Sequence, residues 1–401
     1  MLELILVSLG LLGVIFVSVT IYRVNFFISF LLSSVLSSMT IIGSLNINVL
    51  LILISTLLLL MFSRWKLSFS RILFLAIIGV ILLVTSILSF YSGVELTSAL
   101  GKWLKTLIVF LPLTIIKSCS QPNQFTAIHI PFTKAFLLFS YLLVVPYSIF
   151  VDVDYGVVNL PRFSGFFYDS NYMAAICFCL LYLFISVQRT NNNVDNKYLI
   201  RVLIFTIILT QSFTFIAFTC GLIFFKRIKH HDSWRGETVQ FALPFLVGLA
   251  YIAFIFYLHS FFEIKIADNY ETSVTSLKLN SLFFRLMPQF SVIELMVKQP
   301  SLFLTGYGSG HAAELFGRVL HNFYLQLLFD NGAIFLVVVL LATGYFFAVA
   351  KCSIYLTFTI LITNYLFDNV YMFVFTFIII LCLLWNDGET SGWKLTRGHN
   401  C

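Results

Sequence analysis

Two short polar stretches in an otherwise apolar chain carry the residue types that do chemistry at a membrane boundary. The first is Pro161-Arg162-Phe163-Ser164-Gly165-Phe166-Phe167-Tyr168-Asp169-Ser170-Asn171, a turn that leads into an apolar run. The second is Gly306-Tyr307-Gly308-Ser309-Gly310-His311, followed by His321-Asn322-Phe323-Tyr324-Leu325-Gln326-Leu327-Leu328-Phe329-Asp330-Asn331-Gly332. An arginine guanidinium makes bidentate, charge-assisted bonds to phosphate oxygens. A histidine, with an ordinary pKa of about 6.5, takes a proton near neutral pH. Three alternating glycines form a flexible turn whose backbone amides could accept an anion. The same residues also have plainer readings. A Ser/Asp/Asn group before an apolar helix is an ordinary N-cap, and a lone His at a helix start is commonly a hydrogen-bonded interfacial residue. The glycine segment lacks the strand-turn-helix setting and the Lys-Ser/Thr of a P-loop, so it does not read as a nucleotide site.

Membrane-spanning helices must position these residues. The chain has 401 residues, 60% hydrophobic and 10% charged, with a mean hydropathy of +0.99; a soluble domain is about a quarter charged. A water-soluble fold is excluded, and the runs are too long for the strands of a membrane barrel. Apolar runs near 2–22, 24–43, 47–63, 72–91, 102–117, 132–151, 171–187, 199–225, 239–258, 322–350, 353–367 and 369–385 predict an all-α polytopic bundle of about twelve spans. Leu2 to Ile21 has no basic n-region and no small-residue cleavage site, so it reads as a retained span. The expected division is N-terminal spans over 1–151, a membrane domain over 152–385 and a cytoplasmic tail over 386–401.

The formal net charge of +7 is read through the positive-inside rule. Basic groups at Arg64/Lys66/Arg71, Arg189/Lys197/Arg201, Lys226/Arg227/Lys229/Arg235, Lys351 and Lys394/Arg397 mark cytoplasmic connections. Both flanks of 199–225 are then cytoplasmic. That run covers only about 40 Å as helix, too little for two crossings. A helical hairpin turning near Gln211–Thr214 reconciles the two. Asp152–Ser170 and a long loop near 260–320 then face the outside. Within that loop Leu282, Leu286, Phe290, Ile293 and Val297 share one face of a helix over 281–298, with Arg285 at its edge, as in a helix lying on the membrane interface. No basic, aromatic-interleaved surface suits nucleic acid. The scattered cysteines suit neither a disulfide framework nor a metal site, and His230-His231 beside Asp232 reads as a solvated basic loop.

The succession Arg162-x-x-Gly165-x-x-x-x-x-Asn171, a polar Ser212-x-Thr214 turn, a long loop with an Arg, Gly306-x-Gly308 and His321-Asn322-x-Tyr324-Leu325-x-x-Leu328-x-x-x-Gly332 resembles the O-antigen ligase and polymerase superfamily. The resemblance covers roughly 160–385. It implies a GT-C-like membrane glycosyltransferase without a cofactor, acting on undecaprenyl-pyrophosphate-linked glycans at the outer face of the cytoplasmic membrane. A repeat-unit polymerase is the branch expected, with a chain-length regulator and a flippase as partners. On this resemblance His321 is the base and Arg162 and Arg285 hold the pyrophosphate. Asn171, Asn322 and Tyr324 orient groups. The family usually has Ser-Arg at the hairpin tip, whereas this chain has Ser212-Phe213, so a cation is missing or comes from Lys102, Lys105 or Arg318. The ligase branch and a lipid-linked oligosaccharide flippase are the rival expectations.

Overall fold

The computed structural model describes residues 2–22, 24–37, 45–62, 65–91, 95–117, 128–142, 150–154, 159–167, 169–190, 196–224, 235–261, 274–308, 315, 320, 322–363 and 371–389. The apolar runs fold as helices: α1 (Leu2–Thr20), α2 (Phe26–Ser37), α3 (Leu45–Phe62), α4 (Phe69–Tyr91), α5 (Leu96–Phe110), α6 (Ile130–Leu142) and α7 (Ser170–Thr190). Next come α8 (Lys197–Leu209), α9 (Phe213–Phe224), α10 (Arg235–Phe261), α11 (Val274–Lys298), α12 (Ser301–Thr305), α13 (Phe323–Val349), α14 (Ile354–Thr363) and α15 (Tyr371–Glu389). A helical fold is what the apolar runs predict. Two antiparallel ribbons supplement it: β1 (Trp65–Leu67) with β2 (Ile115–Lys117), and β3 (Phe150–Asp154) with β4 (Asn159–Phe163). Each takes residues from the end of an expected span, 102–117 and 132–151, because the chain leaves the helix there and satisfies its backbone by pairing.

The chain is a membrane protein by the lengths and composition of its helices. Phe69–Tyr91, Gly236–His259 and Phe323–Val349 are long and apolar enough to cross a bilayer, and shorter apolar helices accompany them. On α4, Leu75, Ile78, Leu82 and Thr85 are buried while Ile77, Val80, Val84 and Leu88 are exposed. One stripe packs and the other faces lipid. Several hydroxyls inside the apolar helices are satisfied by their own backbone: Thr56 donates to the Ile52 carbonyl, Ser86 to Leu82 and Thr343 to Val339. The central helix is α7, which is buried from Tyr172 to Ile185, as an all-round apolar sequence requires.

Three features of the fold shape the site, the first as expected and the other two not. The run 199–225 breaks into α8 and α9 at Thr210–Ser212, where Gln211 has φ 51°. This is the break that a hairpin near Gln211–Thr214 requires. The run 322–350, expected as one helix, is interrupted at Gly332 (φ 83°, ψ 169°). Part of the apolar face of the loop helix, expected on the membrane interface, instead packs against α10: Phe290 and Ile293 cluster with Ile255, with Leu286 at the edge, while Val297 is exposed. The physical reason is a better apolar partner, since α10 offers Tyr251, Phe256 and Leu258 beside Ile255.

Candidate functional site

Strand β4 delivers Arg162, which pairs in register with Val151. Phe163 beside it is fully buried and stacks on Tyr141, ring centroids 4.8 Å apart. The chain then turns through Gly165 (φ 58°) into α7. Asp169 caps that helix: its side chain accepts from the Asn171 N–H at 2.8 Å and its carbonyl from the Tyr172 N–H at 3.0 Å. Capping therefore explains Asp169 and leaves the Asn171 side chain to do something else. Its Oδ1 accepts from the Arg162 Nη2 at 3.3 Å and from the Ser212 hydroxyl at 2.8 Å, while its Nδ2 donates to Asp169 at 3.3 Å. Arg162 also donates through Nε to the Thr210 carbonyl at 3.0 Å. The end of β4 and the start of α7, nine residues apart, thus meet the break between α8 and α9 some forty residues on. The tip has no arginine of its own, and Arg162 reaches it from the ribbon.

The second cluster is built on the N-terminal piece of α13. Asn322 is its N-cap, accepting from the Leu325 N–H at 3.1 Å, and it donates through Nδ2 to Gln289 Oε1 on α11 at 3.1 Å. Gln289 donates to the Leu320 carbonyl at 3.2 Å, and the Leu320 N–H donates to Gln326 Oε1 at 3.1 Å. Gln326 donates in turn to Asp330 at 2.9 Å, and Asp330 pairs with Lys102 of α5 at 3.4 Å. Lys102 also donates to Asn331. This network ends at the Gly332 break. There Tyr307 and Gly308 give their N–H groups to the Phe329 and Asp330 carbonyls at 2.8 and 3.0 Å. The break is possible only with glycine. A Cβ on Gly332 would overlap the Leu304 carbonyl, and one on Gly306 would lie 2.6 Å from the Asp330 carbonyl.

Of the residues singled out from sequence, Arg162 and Asn171 are in direct contact. Asn322 contacts the helix that carries Arg285. Arg285 is partly buried and has no hydrogen-bond or ion-pair partner among the described residues. It stands four residues before Gln289, hence on the same helical face about 5–6 Å away. Tyr324 is fully buried and donates to the Leu361 carbonyl at 2.9 Å, which ties α13 to α14. His321 and Arg318 lie outside the described residues, as do His311 and the His230-His231 pair. No hydrogen bond among the described residues joins the two clusters. Two expectations change. The Tyr307 and Gly308 amides, read as anion acceptors, are engaged by the carbonyls that the kink in α13 frees. Lys102, a candidate for the missing cation, is engaged by Asp330 and Asn331.

Sequence reading passed over Gln289, Gln326 and the Lys102–Asp330 pair. For two of them the signal was present: an acid and an amide inside the apolar run 322–350, Asp330 and Gln326, are costly unless paired, so each implies a partner. Among the described residues no three His, Cys, Asp or Glu side chains gather as a metal site. No family model matches the chain, and neither does any curated protein or solved structure.

Proposed function

We propose that the chain is an oligosaccharide repeat-unit polymerase, a glycosyltransferase of about twelve spans with a GT-C-like arrangement. It acts at the outer face of the cytoplasmic membrane to build O-antigen or capsular polysaccharide. His321 takes the proton from a hydroxyl of the acceptor repeat unit. That oxygen attacks the anomeric carbon of the donor glycan, and the bond to undecaprenyl pyrophosphate breaks with inversion of configuration. The departing diphosphate carries its charge onto Arg162 and Arg285, where reduced solvent screening strengthens each charge-assisted bond. A diphosphate leaves readily, so one base suffices where a glycosidase needs two carboxylates.

The observation that carries this reading is the meeting of Arg162, Asn171 and Ser212 from three separate segments at the α8–α9 break. The Arg162 guanidinium donates there to the Thr210 carbonyl and to Asn171, which orients a cation at the break. Arg285 supplies a second cation one turn from the Gln289–Asn322 junction. Deleting the chain and returning variants tests the reading. Loss of a polymerase leaves single repeat units on the acceptor, whereas loss of a ligase leaves bare acceptor and lipid-linked polymer. Arg285→Ala and His321→Ala at wild-type membrane levels are expected to abolish the chain-length ladder. An unchanged ladder with either variant overturns the assignment.

One observation favours a transport reading: α13 is broken at Gly332 beside a buried Lys102–Asp330 pair, and discontinuous helices with buried charges serve transporters. The side on which lipid-linked repeat units accumulate separates the two. A deletion strain holds them on the outer leaflet if a polymerase is lost and on the inner leaflet if a flippase is lost.

A further inference from the structure

We propose that Lys105 and the gap over Gly101 on α5 seat the diphosphate of the acceptor repeat unit; the inference rests on the reading of the chain as a polymerase. That reaction brings two lipid-linked diphosphates to one protein. Arg162 and Arg285 take the charge of the one that departs. The other stays attached to its glycan and needs a cation of its own.

The ribbon fixes which way α5 runs. β1 precedes α4, β2 follows α5, and the two strands pair, so the ribbon marks one end of this helix pair and Tyr91 and Leu96 the other. Arg64, Lys66 and Arg71 beside β1 put the ribbon on the cytoplasmic side. α5 therefore descends from the outer side. Lys105 lies nine residues after Leu96, about 14 Å along the helix. An ammonium at that depth is costly without a counter-charge. Lys105 is partly buried and has no hydrogen-bond or ion-pair partner among the described residues. Lys102, one turn above it, is taken by Asp330, and Lys298 of α11 faces Glu294. Lys102 and Lys105 stand close enough for their charges to repel, which adds to the pull on an anion.

The face that carries Lys105 has room for one. Residues four apart share a helical face, and side chains lean toward the helix N-terminus. The Lys105 stem thus leans outward over Gly101, where a Cβ would meet nothing within 4 Å. Glycine weakens a helix interior relative to alanine, and no neighbour requires it here. The gap lets a phosphate approach the helix closely, and Thr97, one turn further out and exposed, adds a hydroxyl on the same face. Leu104 beside them is 50% exposed, so this side opens to the bilayer and a lipid-borne phosphate reaches it laterally.

The test uses the full chain in phosphatidylcholine liposomes, with lipid-linked repeat units as donor. A fluorescently labelled repeat unit is the acceptor, either on its lipid diphosphate or as a benzyl glycoside without phosphate. Lys105→Gln is expected to raise KM for the lipid-linked acceptor by about 10- to 100-fold, the loss of one charge-assisted bond, with kcat within about twofold. Transfer to the glycoside, which has no phosphate to hold, should match wild type. Lys105→Arg keeps the charge and should restore the lower KM. Gly101→Leu fills the gap without displacing a neighbour and should raise the same KM. A wild-type KM in Lys105→Gln, or an equal loss with both acceptors, overturns the inference. So does a loss that appears only when phosphatidylglycerol is added to the vesicles, which marks a seat for bulk anionic lipid. If Lys105→Gln does not fold, Gly101→Leu carries the same test alone. A wild-type chain that extends neither acceptor overturns the polymerase reading instead, so the two failures are distinguishable.

Discussion

The two polar clusters draw on the same inventory, one cation, a side-chain amide and a helix interruption, and they use it differently. At the α8–α9 break Arg162 is partly buried and donates to neutral oxygens of Thr210 and Asn171. At the α13 break Lys102 faces a carboxylate: its side chain is 15% exposed and that of Asp330 is 0%. A buried ion pair contributes little net stability compared with an apolar pair, yet removing one partner strands a charge where water cannot reach it. The α13 cluster therefore organises the chain around its kink. At the α8–α9 break Arg162 donates to the Thr210 carbonyl and to the Asn171 amide oxygen, and on the proposed reading a diphosphate competes with those acceptors. The buried Asp330 counter-charge marks the α13 cluster as one that organises the fold, and the α8–α9 cluster is the one proposed to bind.

The largest effect that sharpens this contrast falls on Asp330. Asp330→Ala leaves the Lys102 ammonium buried and is expected to cost about 3–5 kcal/mol, read as a large drop in membrane level and in the thermal midpoint of the detergent-solubilised chain. Lys102→Met combined with Asp330→Leu removes both charges and is expected to recover most of that loss. Arg162→Ala should do the reverse, leaving the thermal midpoint near wild type while the polysaccharide ladder disappears. If Arg162→Ala unfolds the chain and Asp330→Ala does not, the contrast is inverted.

The kink supplies the next effect. Gly332→Ala puts a side chain at φ 83° and into the Leu304 carbonyl. The strain of that conformation alone is about 1–3 kcal/mol. The thermal midpoint should fall, and the Tyr307 ring, now stacked on Phe329 with centroids 4.4 Å apart, should become accessible to solvent quenchers of its fluorescence. Unchanged quenching would mean that the crossing of α12 over the kink does not depend on the glycine.

How much of this was legible in the sequence follows from the range of each interaction. The helices were, because apolar run length is a local property. So was the break near Gln211, where a polar Gln-Ser-x-Thr tip interrupts an apolar run between basic flanks. The order of Arg162, Asn171 and Ser212 was legible as a motif, though their contact was not, since it requires β4, α7 and the α8–α9 tip to converge. The β1–β2 ribbon escaped notice because Trp65 pairs with Lys117 across a large sequence separation; the β3–β4 ribbon is local, and its first strand was read as the end of a span. Gly332 stood in plain view in an apolar run, but glycine is common in membrane helices, and only the carbonyl of Leu304 beside it makes a side chain impossible. Asp330 was the strongest missed signal. An acid eight residues into an apolar helix demands a partner, and Lys102 is that partner.

The smallest effect is also the one that asks whether the binding cluster behaves as a unit. Ser212→Ala removes one hydroxyl bond to Asn171 Oδ1, now 2.8 Å long, and is expected to cost about 1 kcal/mol of stability. Asn171→Ala removes that bond together with the one from Arg162 and the one to Asp169. If the amide exists to hold Arg162 against the tip, the double variant loses little more activity than Asn171→Ala alone, because Ser212 acts only through Asn171. Additive losses in polymer yield would instead give Ser212 its own contact with substrate. The cycle therefore reads the cluster's wiring directly: Arg162 and Ser212 share one acceptor oxygen, and only a shared acceptor makes their effects overlap.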